Sequence, residues 1–536
     1  MMPYIQRFPP VAAGNATAST SPSVRPLEAI SPAARIAALE AKVAELEQVQ
    51  AGTPTSIEQL PAPESSGNAP PLPPDSYVLG NEFPMFPRWF NGFVFESPGQ
   101  DFIVRVGGRL QADTGFFGQS PGLTNTPIAD GGVGPNNDST EFRRARVRID
   151  GVMYRFIGWA AEVDFATMAN ARNILGNPPG FPSNVQGPPN QGPLVVSPSI
   201  TDMFVTITEM PIGNFRAGNF KEPLGLEHLT SDRWLDFMER SYNMDAFYGP
   251  FNNGFSPGIM LFDWTEDLRS TWALWCGPNN SNPFAYHIGN QFAGTVRGTY
   301  LPYYDEISQG RYLIHLGTSG SIRRPDQNQD ELFTRGNIRS GPPSTANPLY
   351  ADTGSFATSC QEMVNLEVLG IWGPWTFQSE YLATFLQNAR QNPFNSALPP
   401  AQINLPPAGS PGNSVFFQGT YVEALYFLTG ESRPYDRREG LPMRIVPNRN
   451  FYMNHANGGN PVGWGALQVG ARYSYLDLNS NGINGGQLNS FTLGINWFLN
   501  PNMKFQFNYD YTARGAVAAA AAGTINSGGM RLALDF

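Results

Sequence analysis

The sequence predicts an all-β protein, a transmembrane antiparallel β-barrel of about 16 strands, preceded by a short coiled-coil helix and a Pro-rich linker. Three observations predict it. From about Phe95 onward, segments of roughly ten residues alternate apolar and polar side chains with period two. The composition suits many short strands joined by turns: charged residues are only 15%, aromatics are 12%, and there are 56 glycines and 49 prolines. Links between segments also alternate in part between short and long, which separates the two rims of an outer-membrane-type barrel.

The same figures exclude other classes. Few charges with many aromatics do not describe a disordered chain. The sequence contains no run of ~20 apolar residues to cross a membrane as a helix. A net charge of −10 argues against nucleic acid as a partner. Cys276 and Cys360 are too few for a disulfide framework, and one bridge or two free thiols are both open. Four histidines without zinc-ligand spacing give no metal site, and no cofactor is expected.

Along the chain, residues 1–30 are polar and carry no structural signal, so they read as disordered. They hold no apolar leader core. An exported barrel needs a leader, so one is expected upstream of this start. Over 31–50, Ile36, Leu39, Val43 and Leu46 take heptad a and d positions after Ser31-Pro32. This reads as a coiled-coil stalk or a lone amphipathic helix. Residues 51–90 form the linker, rich in proline from Pro61 to Pro74. The barrel domain is expected over 91–536.

In Phe102–Asp113, Phe102, Val104, Val106, Leu110 and Ala112 share one face, opposite Arg105, Arg109, Gln111 and Asp113. In Glu141–Met153, Ala145, Val147 and Ile149 oppose Arg144, Arg146, Arg148 and Asp150. Three segments near the chain end repeat the pattern, from Phe491, Met503 and Met530. Aromatics toward segment ends, as in interfacial girdles, favour a barrel over a soluble sandwich. Short links are expected near Asp150–Phe156, Gly373-Pro374 and Asn500-Pro501. Long loops are expected over Ser120–Asn137, Asn173–Ser199, Arg323–Ser359 and Gln387–Asn413.

The polar faces are rich in arginine. Alternation places Arg105, Arg109, Arg144, Arg146 and Arg148 toward the lumen, and Arg216, Arg297, Arg472 and Lys504 share that parity. An arginine facing lipid at mid-membrane would cost ~2–4 kcal/mol. A planar, permanently charged guanidinium can bond an oxyanion with two parallel N–H groups. Such a row reads either as an anion path or as wall charge balanced by Asp113, Asp150 and Glu162.

Five segments then resemble the phosphate-selective porin O and P family. They are VGGRLQ (106–111), FRRARVR (142–148) with EVDFA (162–166), and GNFKEPLGLE (218–227) with LTS (229–231) and MERS (238–241). YFLTGESRPY (426–435) and ARYSYLDLN (471–479) complete the set. The resemblance covers about Asn91 to Phe536 and leaves the coil and linker outside. It implies a sixteen-stranded homotrimeric porin in the bacterial outer membrane. It also implies a third extracellular loop folded inward, an arginine ladder in the lumen, and phosphate or related anions bound at the constriction. Residues 221–240 would then contain the constriction loop, with Lys221, Arg233 and Arg240 as its cations and Ser231 beside them. The chain departs from the family pattern where a lysine is expected before a Thr-Ser-Ser step. It has His228, then Thr230-Ser231-Asp232. A neutral histidine and an added carboxylate both weaken a phosphate site.

No catalytic constellation stands out. The expected function is a water-filled outer-membrane channel for passive diffusion of small anions in the phosphate or polyphosphate class, with outer-membrane lipid around it. A general porin of low selectivity and a structural tether built on the N-terminal coil remain open.

Overall fold

The computed structural model describes residues 84–127, 132–166, 199–248, 254–279, 291–325, 328–339, 348–392, 404–451, 463–515 and 522–536. The coil over 31–50 and almost all of the linker lie outside them.

Sixteen long strands follow one another. They are β1 (Ile103–Gln119), β2 (Ser139–Met153), β3 (Ile157–Asp164), β4 (Ser199–Met210), β5 (Gly213–Lys221), β6 (Phe255–Trp264), β7 (Ser270–Pro278) and β8 (Phe292–Tyr304). The second half contains β9 (Tyr312–Arg323), β10 (Cys360–Trp372), β11 (Trp375–Gln391), β12 (Asn413–Phe427), β13 (Ala466–Ser480), β14 (Ile483–Asn500), β15 (Met503–Arg514) and β16 (Gly523–Asp535). Each pairs antiparallel with the next. β16 pairs back onto β1, from Asp535↔Arg109 to Ile525↔Gln119, and closes the barrel. Closure leaves no long sheet edge unpaired, as hydrocarbon requires.

The alternation decides which medium the wall faces. On β14, Phe491, Leu493 and Ile495 are each 47% exposed, while the intervening Ser490, Thr492 and Asn496 are buried. A soluble sandwich would bury the apolar set. Here it faces outward, toward lipid, and the polar set faces the lumen. Cys276 and Cys360, on β7 and β10, are free thiols.

Turn lengths sort the rims. Residues 154–156, 211–212, 265–269, 305–311, 373–374 and 501–502 form short links at one rim. At the other, most connections are long, including 120–138, 222–254, 324–359 and 392–412. Two connections break the rule: residues 428–465 link β12 to β13 at the short-turn rim, and residues 481–482 join β13 to β14 at the other. By the usual asymmetry the short-turn rim is periplasmic. A small hairpin, Phe86–Trp89 with Phe93–Glu96, begins inside the stretch assigned to the linker. Its second strand pairs with Ile103–Val106 of β1 below the point where β16 ends.

Described parts of three connections fold into the lumen: within 222–248, within 328–339 and 348–359, and within 433–445. The lumen is therefore not polar throughout. Toward the long-loop rim, Leu382, Leu386, Phe417, Leu476 and Leu488 turn inward. They pack with Tyr242, Met244 and Phe247 of the first inserted segment and Leu332, Tyr350 and Phe356 of the second. Burial of this apolar surface, worth about 25 cal/mol per Å2, holds both loops inside.

Candidate functional site

The segment 222–254 crosses the lumen and is fixed to the wall at each stage. It begins with Glu222, whose carboxylate accepts from Arg323 on β9 (2.9 Å), Thr295 on β8 (3.0 Å) and Ser256 on β6 (2.9 Å). A short helix, Leu226–Leu229, follows. At its start the Leu226 and Glu227 amides donate to the Glu380 carboxylate on β11, at 2.6 and 2.8 Å. A carboxylate there satisfies orphan donors and complements the positive end of the helix.

Past this helix the backbone carbonyls are taken up by two of the expected site cations. Lys221 donates to the carbonyls of His228 and Thr230. Arg240 donates to those of Glu227 (2.8 Å) and Thr230 (2.6 Å), and burial brings its pKa down to about 10. Both cations therefore hold the loop in shape. Ser231 sits in the next turn, where its carbonyl accepts from the Trp234 amide at 2.9 Å. The His228 ring stacks on Tyr248 with centroids 4.5 Å apart, and its Nδ1 lies 2.9 Å from the Leu224 carbonyl. It packs against Gly254, where a Cβ would lie 1.9 Å from Nε2 at φ +77°. His228 is thus a packed loop residue.

Asp232 meets the arginine row. It forms ion pairs with Arg109, Arg144 (2.6 Å) and Arg146 (3.3 Å). The other carboxylates come from the wall. Glu162 pairs with Arg109, with Arg146 (3.1 Å) and, at longer range, with Arg148 and Arg233 (3.8 and 3.9 Å). Asp164 holds Arg146 at 2.6 Å, Asp202 holds Arg148 at 2.6 Å, and Asp150 joins Arg148 (2.9 Å) to Arg105 (3.1 Å). Six guanidinium groups, Arg105, Arg109, Arg144, Arg146, Arg148 and Arg233, thus meet six carboxylates, because Arg144 also lies 3.9 Å from Glu239. The row is one network, nearly balanced in charge.

A further cluster, joined to the row through Arg144 and Glu239, went unread in the sequence. Glu239 accepts from Arg143 at 2.8 and 3.0 Å and from Arg531 at 2.8 Å, and Arg531 also grips Asp113. Burial alone would raise the Glu239 carboxyl, but Arg143, Arg144 and Arg531 hold it well below the usual range. Arg143 reaches inward because β2 shifts register there: Gln111 faces Arg144, whereas Ala112 faces Phe142. The signal was two successive arginines in a strand that otherwise alternates, a mark of a bulge.

The remaining expected residues lie elsewhere on the lumen wall. Arg216 is enclosed by the rings of Phe204, Phe262 and Phe220 (4.4, 5.0 and 5.5 Å) and donates to Thr206 at 3.0 Å. Arg297 pairs with Glu367 at 2.7 Å and reaches the carbonyl of Gly440 at 3.1 Å. Arg472 pairs with Glu227 (3.3 Å) and lies 4.6 Å from the Phe237 ring. Lys504 donates to the Leu235 carbonyl at 2.9 Å.

The inserted segment 428–465 meets the loop from the periplasmic side. Arg433 pairs with Asp236 and donates to the Trp234 carbonyl. The strip Arg233–Phe237 is therefore a septum. On one side a cleft is lined by Arg109, Gln111, Arg233, Trp234, Arg444 and Lys504. Arg109 Nε, Arg233 Nε and Trp234 Nε1 have no hydrogen-bond partner among the described residues. On the other side a smaller chamber lies between Leu235–Phe237, Glu423, Arg433 and Arg472.

A closed barrel with lipid-facing apolar strands and a charged, loop-narrowed lumen defines a membrane channel. The chain belongs to the family described as phosphate-selective porin O and P, whose model matches residues 104–536. It is an outer-membrane porin of a Gram-negative-type bacterium. The chain is 22% identical to Porin O of Pseudomonas aeruginosa over 446 residues, covering 78% of this chain and 84% of that one. It is 25% identical over 492 residues to an uncharacterized protein of Caulobacter vibrioides, covering 89% and 82%. Among solved structures, the outer-membrane channel DcaP of Acinetobacter baumannii aligns at 10% identity and a TM-score of 0.44, over 82% and 99% of the two chains. An anion-selective porin from Comamonas acidovorans aligns at 12% identity and 0.36, over 81% and 100%.

Proposed function

We propose that this porin passes small inorganic anions and holds phosphate-like oxyanions briefly in the cleft beside Trp234. The observation that carries this reading is the convergence there of Arg109, Arg233, Arg444 and Lys504, with three buried N–H groups lacking a hydrogen-bond partner among the described residues. In a tube with low-dielectric walls, fixed charge concentrates counter-ions and screening is weak. Guanidinium forks and an indole N–H suit an oxyanion's tetrahedral acceptors. Arg105, Arg144, Arg146 and Arg148 lead toward that cleft as a partly neutralised row, and Lys221, Arg240, His228 and Ser231 shape the loop.

A second reading, a general porin of low selectivity, is favoured by one observation: Asp232 and the wall carboxylates neutralise most of the row. We also read the assembly as a homotrimer in outer-membrane lipid, as the family resemblance implies, and chemical cross-linking of the membrane-extracted protein tests that. The tether reading rests on residues outside the described structure.

The deciding experiment is a planar bilayer containing the purified protein in a KCl gradient, then titrated with phosphate. A chloride-selective reversal potential and current blocked by sub-millimolar phosphate are expected. Weak or cation selectivity without phosphate block would overturn the oxyanion reading and leave the general porin.

A further inference from the structure

The connection 428–465 enters from the rim whose other links are short, and its described residues, 428–451 and 463–465, show what draws it inward. Two arginines anchor it to the rim. Arg437 pairs with Glu306 at 2.9 Å and donates to the Leu268 carbonyl at 3.2 Å, so it grips the links after β6 and β8. Arg444 pairs with Asp535 at the end of β16 and donates to the carbonyl of Pro501 in the link after β14. Between these anchors Leu441 sinks among Leu226, Leu301 and Leu313. The segment is thus a strap across the periplasmic mouth, tied to two separate stretches of the wall.

Arg433 reaches further in. It is almost fully buried, pairs with Asp236 and donates to the Trp234 carbonyl at 2.6 Å. The wall holds the same strip through other atoms: Lys504 donates to the Leu235 carbonyl at 2.9 Å and Asn496 to the Asp236 carbonyl at 2.7 Å. Among the described residues Arg433 alone bonds the Trp234 carbonyl and the Asp236 carboxylate. Both are groups that burial makes costly once their partner is removed, so the strip must shift to find another partner or water. Charge on this side is balanced one to one, with Glu227 against Arg472 and Asp236 against Arg433.

We propose that Arg433 is a positioning residue of the pore: acting from the periplasmic side, it sets where the strip Arg233–Phe237 stands and so the bore of the channel. A guanidinium does this because its planar fork reaches a carboxylate and a carbonyl together, which a lysine ammonium does with less geometric control. The strap and the constriction loop then form one device, in which a segment rooted in the periplasmic rim fixes the narrowest part of an extracellular loop. The inference concerns width and not the bound ion, so it stands apart from the oxyanion reading.

The test uses the full-length protein in planar bilayers, with uncharged polyethylene glycols of increasing size as the probe. A glycol that enters the pore lowers its conductance, and the smallest one that does not marks the cut-off. Arg433→Met is expected to raise the single-channel conductance in KCl roughly two- to threefold, as a wider constriction must, and to move the cut-off to a larger glycol. It is also expected to shift the reversal potential toward cations, because Asp236 is left unpaired. Arg433→Met combined with Asp236→Asn removes both charges. Its reversal potential should return toward that of the parent while its cut-off stays raised, which separates position from charge. Arg433→Lys, which keeps the charge and loses the fork, should keep the parent's reversal potential and still raise the conductance. A heat-modifiable gel band confirms that each variant folds, and Arg433→Lys carries the test if Arg433→Met does not. A parental cut-off and conductance in either folded single variant, or a double variant that regains the parental cut-off, would overturn the proposal.

Discussion

At the level of single residues, Asp232 is where the loop meets the arginine row. It is the loop's own carboxylate and meets three arginines of the row. Removing its charge without changing its size leaves six guanidinium groups against five carboxylates. Asp232→Asn is therefore expected to raise the chloride-over-potassium permeability ratio roughly two- to fivefold, because the freed charge sits in a focused field. The reversal potential in a KCl gradient reads this directly, and an unchanged ratio would show that the row does not face the permeation path. His228 makes the opposite case. Its stacking on Tyr248 and its contact with Gly254 predict that its charge state matters little to conduction.

At the level of elements, the inserted segments carry the pH dependence. Asp330, in the connection 324–359, is buried, and that burial lifts its carboxyl to about 6. Asp436, in 428–465, is likewise lifted to about 6, by burial first and then by Glu439. An unfolded or withdrawn aspartate titrates near 3.9. The inserted state therefore binds the proton more tightly, and its stability is greatest below about pH 4 and falls as pH rises to about 6. For a shift of this size the full loss is about 3 kcal/mol per group. Both segments are thus expected to stay inserted more firmly at pH 5 than at pH 7.5. Limited proteolysis of the folded protein across that range measures it. Asp330→Asn, which mimics the neutral form, should reduce the pH dependence of cleavage in 324–359, and equal cleavage rates at both pH values in the parent would refute the account.

At the level of the whole molecule, the weak point is the seam. β1 and β16 are joined late, because their partners lie about as far apart in sequence as the barrel allows. At the periplasmic end of that seam Gly108 and Phe536 exchange both backbone hydrogen bonds, at 2.8 and 3.0 Å. A Cβ on Gly107 would lie 2.4 Å from the Phe536 carbonyl oxygen. Gly107→Ala must push the strands apart and is expected to cost about 1–3 kcal/mol. The temperature at which the folded gel band is lost should fall accordingly. Gly118→Ala, at a β1 position with open space around it, should leave that temperature unchanged.

Period-two alternation determined the sixteen strands, the lipid face and the inward set of arginines, because side-chain direction in a strand is a local property with one parity per register. The family followed from five short segments in order. Three things were decided only by the tertiary structure. The bulge at Arg143 changed the parity of one residue and brought in Glu239. The connection 428–465 turned inward against the usual rim asymmetry. The leucines toward the long-loop rim became a core inside the lumen instead of a lipid face. Each depends on which distant segment occupies the lumen. That choice sums apolar contacts and ion pairs between residues such as Arg472 and Glu227, 245 positions apart. A periodic pattern carries no information about such partners. Sequence could therefore place the arginines inside the barrel, but only the folded loops show which carboxylates neutralise them and which N–H groups meet no partner among the described residues.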